Sequence, residues 1–178
     1  MALLTILTDD NPRLRLKSQK VTKFDKNLKK LAQDMLESME HANGIGLAAP
    51  QVGVLQRLIV IDIPEDLEFE GSPHYHAVLV NPEIAKCSGE QIGEEGCLSV
   101  PGWYGDVKRY YTVTVRAQDI TGKPVKIKAE GLFARCLQHE IDHLDGIIFT
   151  DVVDPTTLHR AKPAEEQEAK SGELVKVI

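Results

Sequence analysis

Two histidines four residues apart flank a glutamate in Gln138-His139-Glu140-Ile141-Asp142-His143. On a helix this spacing stacks both imidazoles on one face, one turn apart, where they can reach a single cation. Glu140, beside the first histidine, is spaced to act as a base on water activated by that cation. Leu132, Phe133, Cys136, Leu137, Ile141 and Leu144 form a wide apolar stripe around the same turns, so the polar set borders a buried face. Unpaired imidazoles and a carboxylate are costly there. A bound metal accounts for them better than scattered polar residues on a surface helix do.

A catalytic metal site needs a third protein donor and an open position. Downstream, Asp145, Asp151, Asp154 and His159 are available, none with a persuasive spacing. Upstream, Cys97 stands in "EEGCLSVPGWYG", a glycine-flanked, turn-rich segment that could present a thiolate beside exposed backbone amides. From the residues alone Cys97 is as much core filler as ligand or nucleophile. A third stretch, "NGIGLAAPQVG" from Asn43 to Gly53, has the small residues that let a backbone approach a ligand closely. Gln51 could donate its amide to a carbonyl oxygen, although an ordinary loop explains this stretch equally well. His74 and His76 have chelating spacing, but an exposed pair without metal is the better reading. Cys87 reads as filler or a surface thiol.

The elements that must position these residues are partly legible. Asp25 to Glu40 carries Leu28, Leu31, Ala32, Met35 and Met39 at helical spacing, with Asp25 as N-cap and Asn43-Gly44 as the stop. Arg57 to Ile63 and His76 to Val80 read as strands. Tyr111 to Arg116 and Val125 to Ala129 read as a hairpin turning at Thr121-Gly122. A second helix, Leu132 to about Leu144, bears the His-Glu-x-x-His set and closes at Asp145-Gly146, and Ile147 to Phe149 reads as a short strand. From Asp154 the chain is polar; a helix could start at Pro155 and break at Pro163. No internal repeat is present. The expectation is an α+β fold, with residues 1–163 as a single catalytic domain and 164–178 as a polar, loosely ordered C-terminal tail.

The 178 residues, 42% hydrophobic and 27% charged, are enough for one domain with a sizeable core. The net charge of −6 argues against a nucleic-acid partner. The "KNLKK" cluster, Lys26 to Lys30, reads as a solvated helix face. No apolar run approaches a membrane span, and the N-terminal stretch lacks the basic flank of a signal peptide. The expected compartment is the cytoplasm. Three cysteines do not suggest a disulfide framework.

Taken in order, Gly44-Ile45-Gly46-Leu47-Ala48-Ala49-Pro50-Gln51, Glu95-Gly96-Cys97-Leu98-Ser99 and Gln138-His139-Glu140-Ile141-Asp142-His143 closely resemble the three motifs of the peptide deformylases. The resemblance runs from the first helix to about Asp151. It implies an α+β deformylase fold, antiparallel strands packed around a central metal-binding helix. It also implies removal of the formyl group from nascent N-formylmethionyl polypeptides, releasing formate, by attack of metal-bound hydroxide. The implied metal ligands are Cys97, His139 and His143, with Glu140 as general acid/base. Gln51 and the Leu98 N–H would face the carbonyl oxygen. Ile45, Gly46 and Gly96 would lie along the peptide backbone, and Leu132 and Cys136 would line the methionine pocket. Arg135 lies close to that pocket but is not assigned to its lining, and Trp103 could shape the rim. The family implies one divalent ion, Fe2+ natively, with Zn2+, Ni2+ or Co2+ able to take its place; the ligand types alone suit zinc. Transient ribosome contact would fit the substrate, although the mixed charges of the tail do not make a basic docking helix. Two rivals are a zinc peptidase with a downstream third ligand and a closed, non-enzymatic metal site with Cys136 as fourth ligand.

Overall fold

In the computed structural model of the chain, which describes residues 3–161 and residue 178, the segment after Asp25 forms helix α1, Lys26–His41. The Asp25 carboxylate accepts the Asn27 and Leu28 N–H groups at 3.0 Å, giving two of the orphan donors at a helix start a partner. Leu28, Ala32, Met35 and Met39 form its buried face, so the two methionines are core. The helix ends where Asn43 turns to φ +57° and the Gly44 N–H caps the Met39 carbonyl at 2.9 Å.

Among the described residues eight strands follow: β1 Gly46–Ala48, β2 Leu58–Ile63, β3 Tyr75–Ser88, β4 Gln91–Cys97, β5 Val100–Arg109, β6 Thr112–Gln118, β7 Pro124–Glu130 and β8 His159–Arg160. Five make an antiparallel sheet in the order β1-β2-β3-β6-β7; three make a second sheet, β4-β5-β8. Helix α2, Gly131–Leu144, completes the α+β fold. The run Leu58-Ile59-Val60-Ile61 is apolar throughout because β2 is covered on both faces. Leu58 and Val60 pack with α1, whereas Ile59, Ile61 and Ile63 pack with α2. Burying each such side chain contributes roughly 1.5–3 kcal/mol before entropy is charged against it.

Three contacts set the position of α2. β7 runs directly into it through Gly131, whose φ of +56° turns the chain and whose N–H is held by the Tyr111 carbonyl at 3.0 Å. The Leu132 N–H is capped from the loop after β2 by Glu68 Oε1 at 2.8 Å. At the other end Arg57, buried, donates to Asp145 Oδ1 at 2.8 Å and to the Pro82 carbonyl at 3.3 Å.

Several sequence expectations need correction. The turn-rich segment around Cys97 is mostly strand, with the turn confined to Leu98-Ser99. Cys97 ends β4, which pairs with β5, and glycines 93, 96, 102 and 105 hide the strand pattern. β3 extends well past Val80, through bulges at Asn81-Pro82 and near Ala85. Ile147 to Phe149 is not a strand: Asp151 accepts the Ile148 N–H and closes a short 3-10 helix, Phe149–Asp151, that seats Phe149 in the core. No helix starts at Pro155, because Asp154 Oδ1 takes the Thr156 N–H and hydroxyl and folds a turn leading to β8. The expected break at Pro163 and the tail over 164–178 lie outside the described residues, except Ile178, which is buried.

Leu137, fully buried between α2 and the larger sheet, tests how firmly the motif helix is anchored. Leu137→Ala should lower unfolding free energy by about 2–5 kcal/mol in urea titration, with the slope unchanged.

Candidate metal centre

The cysteine of β4 and the two histidines of α2 meet. Each of Cys97, His139 and His143 offers a donor atom, and the three atoms lie within 4.8 Å of one another, all buried. His143 Nε2 is 3.3 Å from the Cys97 sulfur, and the two imidazoles sit edge-on with centroids 5.0 Å apart. The His139 ring is fixed from behind. Its Nδ1 meets Glu95 Oε2 at 2.9 Å, which sets Nδ1 as the protonated nitrogen and leaves Nε2 as the free donor. Phe149 stacks on the same ring at 6.4 Å.

His139 Nε2 and both Glu140 oxygens are buried with no hydrogen-bond partner among the described residues. Orphaned groups of this kind are costly unless something else satisfies them. A sulfur and two imidazole nitrogens suit a transition metal or zinc, and three protein donors leave a position open. The residues therefore fit a catalytic metal site. Cys136 is outside the donor group; its sulfur faces the Ile45 carbonyl at 3.7 Å. The downstream candidates are engaged elsewhere: Asp145 with Arg57, Asp151 with Arg15, Asp154 with Thr156, and His159 with Glu94.

Burial and electrostatics divide the acids of the site. Burial pushes the Glu140 carboxyl well above its ordinary range, with the Glu95 charge adding to the effect. Burial opposes the Glu95 carboxylate too, but hydrogen bonds from His139 and Arg109 outweigh it and hold Glu95 far below the usual range. Burial raises the Cys97 thiol to about 12 and, with His139 and Arg109 nearby, drives His143 well down. A divalent ion reverses this logic for the thiol and for Glu140, since it favours their charged forms.

Gln51 lies in a short 3-10 helix, Ala49–Val52, and is fully buried. Its Oε1 accepts the Ala48 N–H at 2.8 Å, so the amide cannot turn over. Nε2 therefore points at Ser99 Oγ, 3.2 Å away, and at the Cys97 sulfur, 3.7 Å away. Gly46 is forced by contact: a Cβ there would stand 2.5 Å from Glu140 Oε1 and 2.8 Å from the Cys136 sulfur. A cavity of about 210 Å³ opens beside the centre, lined by Ile45, Leu67, Gly96, Tyr104 and Leu132 among others. Cys136 is buried beneath it in the same apolar cluster as Ile45 and Leu132. A larger cavity, about 380 Å³, lies near Lys108, Tyr110 and Asp142; neither of these two cavities is lined by a donor, whereas Cys97 lines a third, of about 190 Å³, with Leu98, Val100 and Trp103. Arg135 is buried, donates to the Gly93 and Val107 carbonyls and to Glu95, and is not part of the 210 Å³ cavity's lining. Trp103 is partly exposed, with the Arg160 guanidinium 5.8 Å over its ring. His74 and His76 both bond Asp62 Oδ1, at 2.9 and 2.8 Å, and Cys87 is exposed.

Sequence reasoning quoted Glu95 without giving it a role and did not single out Arg109. Glu95 accepts from Arg109 at 3.0 Å through both oxygens, from Arg135 at 2.9 Å, and from His139. Recognising β4 as a strand would have revealed it, because Glu95 and Cys97 are two apart and share a strand face. Removing Glu95 strands two buried guanidinium groups. Glu95→Ala should therefore cost about 3–5 kcal/mol of stability by denaturant titration. Asp142→Ala, which removes a more exposed partner of Arg109, should cost clearly less.

The polypeptide deformylase family matches residues 3–159 of the chain. The chain is 50% identical over 168 residues to a peptide deformylase of Thermomicrobium roseum, covering 94% of this chain and 96% of that one. Among solved structures it is similar to a peptide deformylase from Legionella pneumophila, with TM-score 0.79 and 49% identity over 87% of this chain and 88% of that one. It is also similar to a Met-Ala-Ser-bound peptide deformylase from Acinetobacter baumannii, with TM-score 0.81 and 35% identity over 85% and 99% of the two chains. Likeness at these levels over nearly the whole length, with the buried cysteine-histidine-histidine cluster at its centre, shows that the chain belongs to the polypeptide deformylase family.

Proposed function

We propose that the chain hydrolyses the formamide bond of N-formylmethionyl polypeptides with one divalent metal ion, ferrous in the cell, held by Cys97, His139 and His143. The observation that carries this reading is the convergence of three buried donors beside Glu140, whose oxygens have no hydrogen-bond partner among the described residues. When bound, the ion supplies Lewis-acid activation of water near neutral pH.

The protein's own groups do the rest. The Glu140 carboxylate takes a proton from the attacking water at one of its unpartnered oxygens and delivers it to the departing amine nitrogen, so formate and a free N-terminus leave. Gln51 Nε2–H, held in orientation by Ala48, and the Leu98 N–H act as donors to the oxygen that gains negative charge. In the structure the Leu98 N–H donates to the Ile178 main-chain oxygen and Gln51 Nε2 to Ser99 Oγ, contacts that the substrate oxygen would replace. Ile45, Gly96 and Leu132 border the cavity that takes the methionine side chain, with Cys136 packed beneath them and the Gly46 backbone beside Glu140. β1 and β4 are the outer strands of their sheets, so both offer backbone to an extended peptide. The Acinetobacter relative's Met-Ala-Ser supports a peptide that presents methionine first.

Among the described residues no helix is long and apolar enough to cross a membrane. The reading places the enzyme in the cytoplasm, acting on nascent chains in transient contact with the ribosome and with no direct nucleic-acid role.

Protein loaded anaerobically with ferrous iron should release formate rapidly from formyl-Met-Ala-Ser. Glu140→Ala should retain metal yet lose at least about 10²-fold in kcat, whereas Cys97→Ala should lose metal by elemental analysis. Absence of release from wild-type protein with stoichiometric metal would overturn the reading. Gln51→Ala should lower kcat by about 10²–10³-fold with metal content intact.

A further inference from the structure

Ile178 sits inside the same cleft. Its side chain is 4% exposed and packs in the cluster that includes Ile45, Leu132 and Cys136. Its main-chain oxygen accepts a hydrogen bond from the Leu98 N–H at 3.3 Å. The deformylase reading assigns these same groups to substrate: the apolar wall to the methionine side chain, and the Leu98 N–H to the carbonyl oxygen. Core filling would account for the first contact but not for the second.

We propose that Ile178 is an intramolecular competitor for the substrate's first residue, so that the cleft opens to a formylmethionyl chain only when Ile178 leaves. The inference rests on the deformylase reading of the cleft. Isoleucine and methionine side chains have similar volumes, but isoleucine is branched at Cβ and shorter. The cavity of about 210 Å³ that remains beside Ile178, toward Leu67 and Tyr104, suits a longer unbranched side chain. Substrate therefore gains contacts that the competitor does not make. Because the competitor is tethered, dilution of the enzyme does not weaken it. Apparent affinity for substrate falls by the fraction of molecules whose cleft is open.

The test compares the iron-loaded 178-residue wild type with Ile178→Asp, using formate release from formyl-Met-Ala-Ser. Methyl NMR of isoleucine-labelled protein in the diamagnetic zinc form is recorded alongside it. Ile178→Asp should lower KM by roughly threefold or more with kcat unchanged. In the wild type, the Ile178 δ1 methyl should show contacts to Ile45 that disappear on addition of Met-Ala-Ser. Identical KM values for the two proteins, or Ile45 contacts that persist with Met-Ala-Ser bound, would overturn the proposal. Absence of formate release from both proteins would instead overturn the deformylase reading. The NMR displacement then still decides whether Ile178 and a methionyl peptide share the cleft.

Discussion

A single buried carboxylate holds the active region together. Glu95 lies on β4, and its two oxygens take Arg109 from β5, Arg135 and His139 from α2. Arg135 also donates to the Gly93 and Val107 carbonyls at 3.1 Å, so this cluster joins the smaller sheet to the motif helix through main chain as well as side chain. A lone ion in such surroundings would be strongly disfavoured. Here Glu95 faces two guanidinium groups, Asp142 supplies the second negative charge through Arg109, and the contact with His139 sets the tautomer of a candidate metal donor. Stability and reactivity thus share one set of hydrogen bonds.

The larger sheet solves a different problem. β2 lies between two layers, α1 on one face and α2 on the other. The helix bearing both histidines is therefore packed on a strand that has no solvent face through which to shift. α2 is buried around most of its circumference, an environment where side chains keep single rotamers. That rigidity suits a site in which donor atoms must lie a few ångströms apart before any ligand arrives.

The parts visible from the chain alone were those governed by local rules. Asp25 and the 3.6-residue spacing of Leu28, Ala32, Met35 and Met39 marked α1; β-branched runs marked β2 and β6. The His139–His143 interval marked the face of α2 that carries the two buried imidazoles. β4 and β5 were hidden because glycines 93, 96, 102 and 105 dilute the alternation that strands usually show. Two of those glycines answer to neighbours remote in sequence, since a Cβ on Gly93 would press on Arg135 and one on Gly105 on Val153, while Gly102 answers to its own backbone at φ +79°. Arg109 could not be found at all, since its role appears only when β5 is laid against α2. The Asp154 turn was misread as a helix start because its side chain competes for the backbone donors a helix would need.

The junction at Gly131 has an evolutionary consequence. β7 passes into α2 with no connecting loop, so the rotational phase of the helix is inherited from the strand. One residue inserted there would turn every later position by about 100° and swing both histidines away from the cysteine. An insertion at the tip of the β6–β7 hairpin, around Thr121 and Gly122, would leave that phase untouched. Length variation among related chains should therefore collect at hairpin tips and in the loop between β2 and β3, and be purged between Glu130 and Leu132.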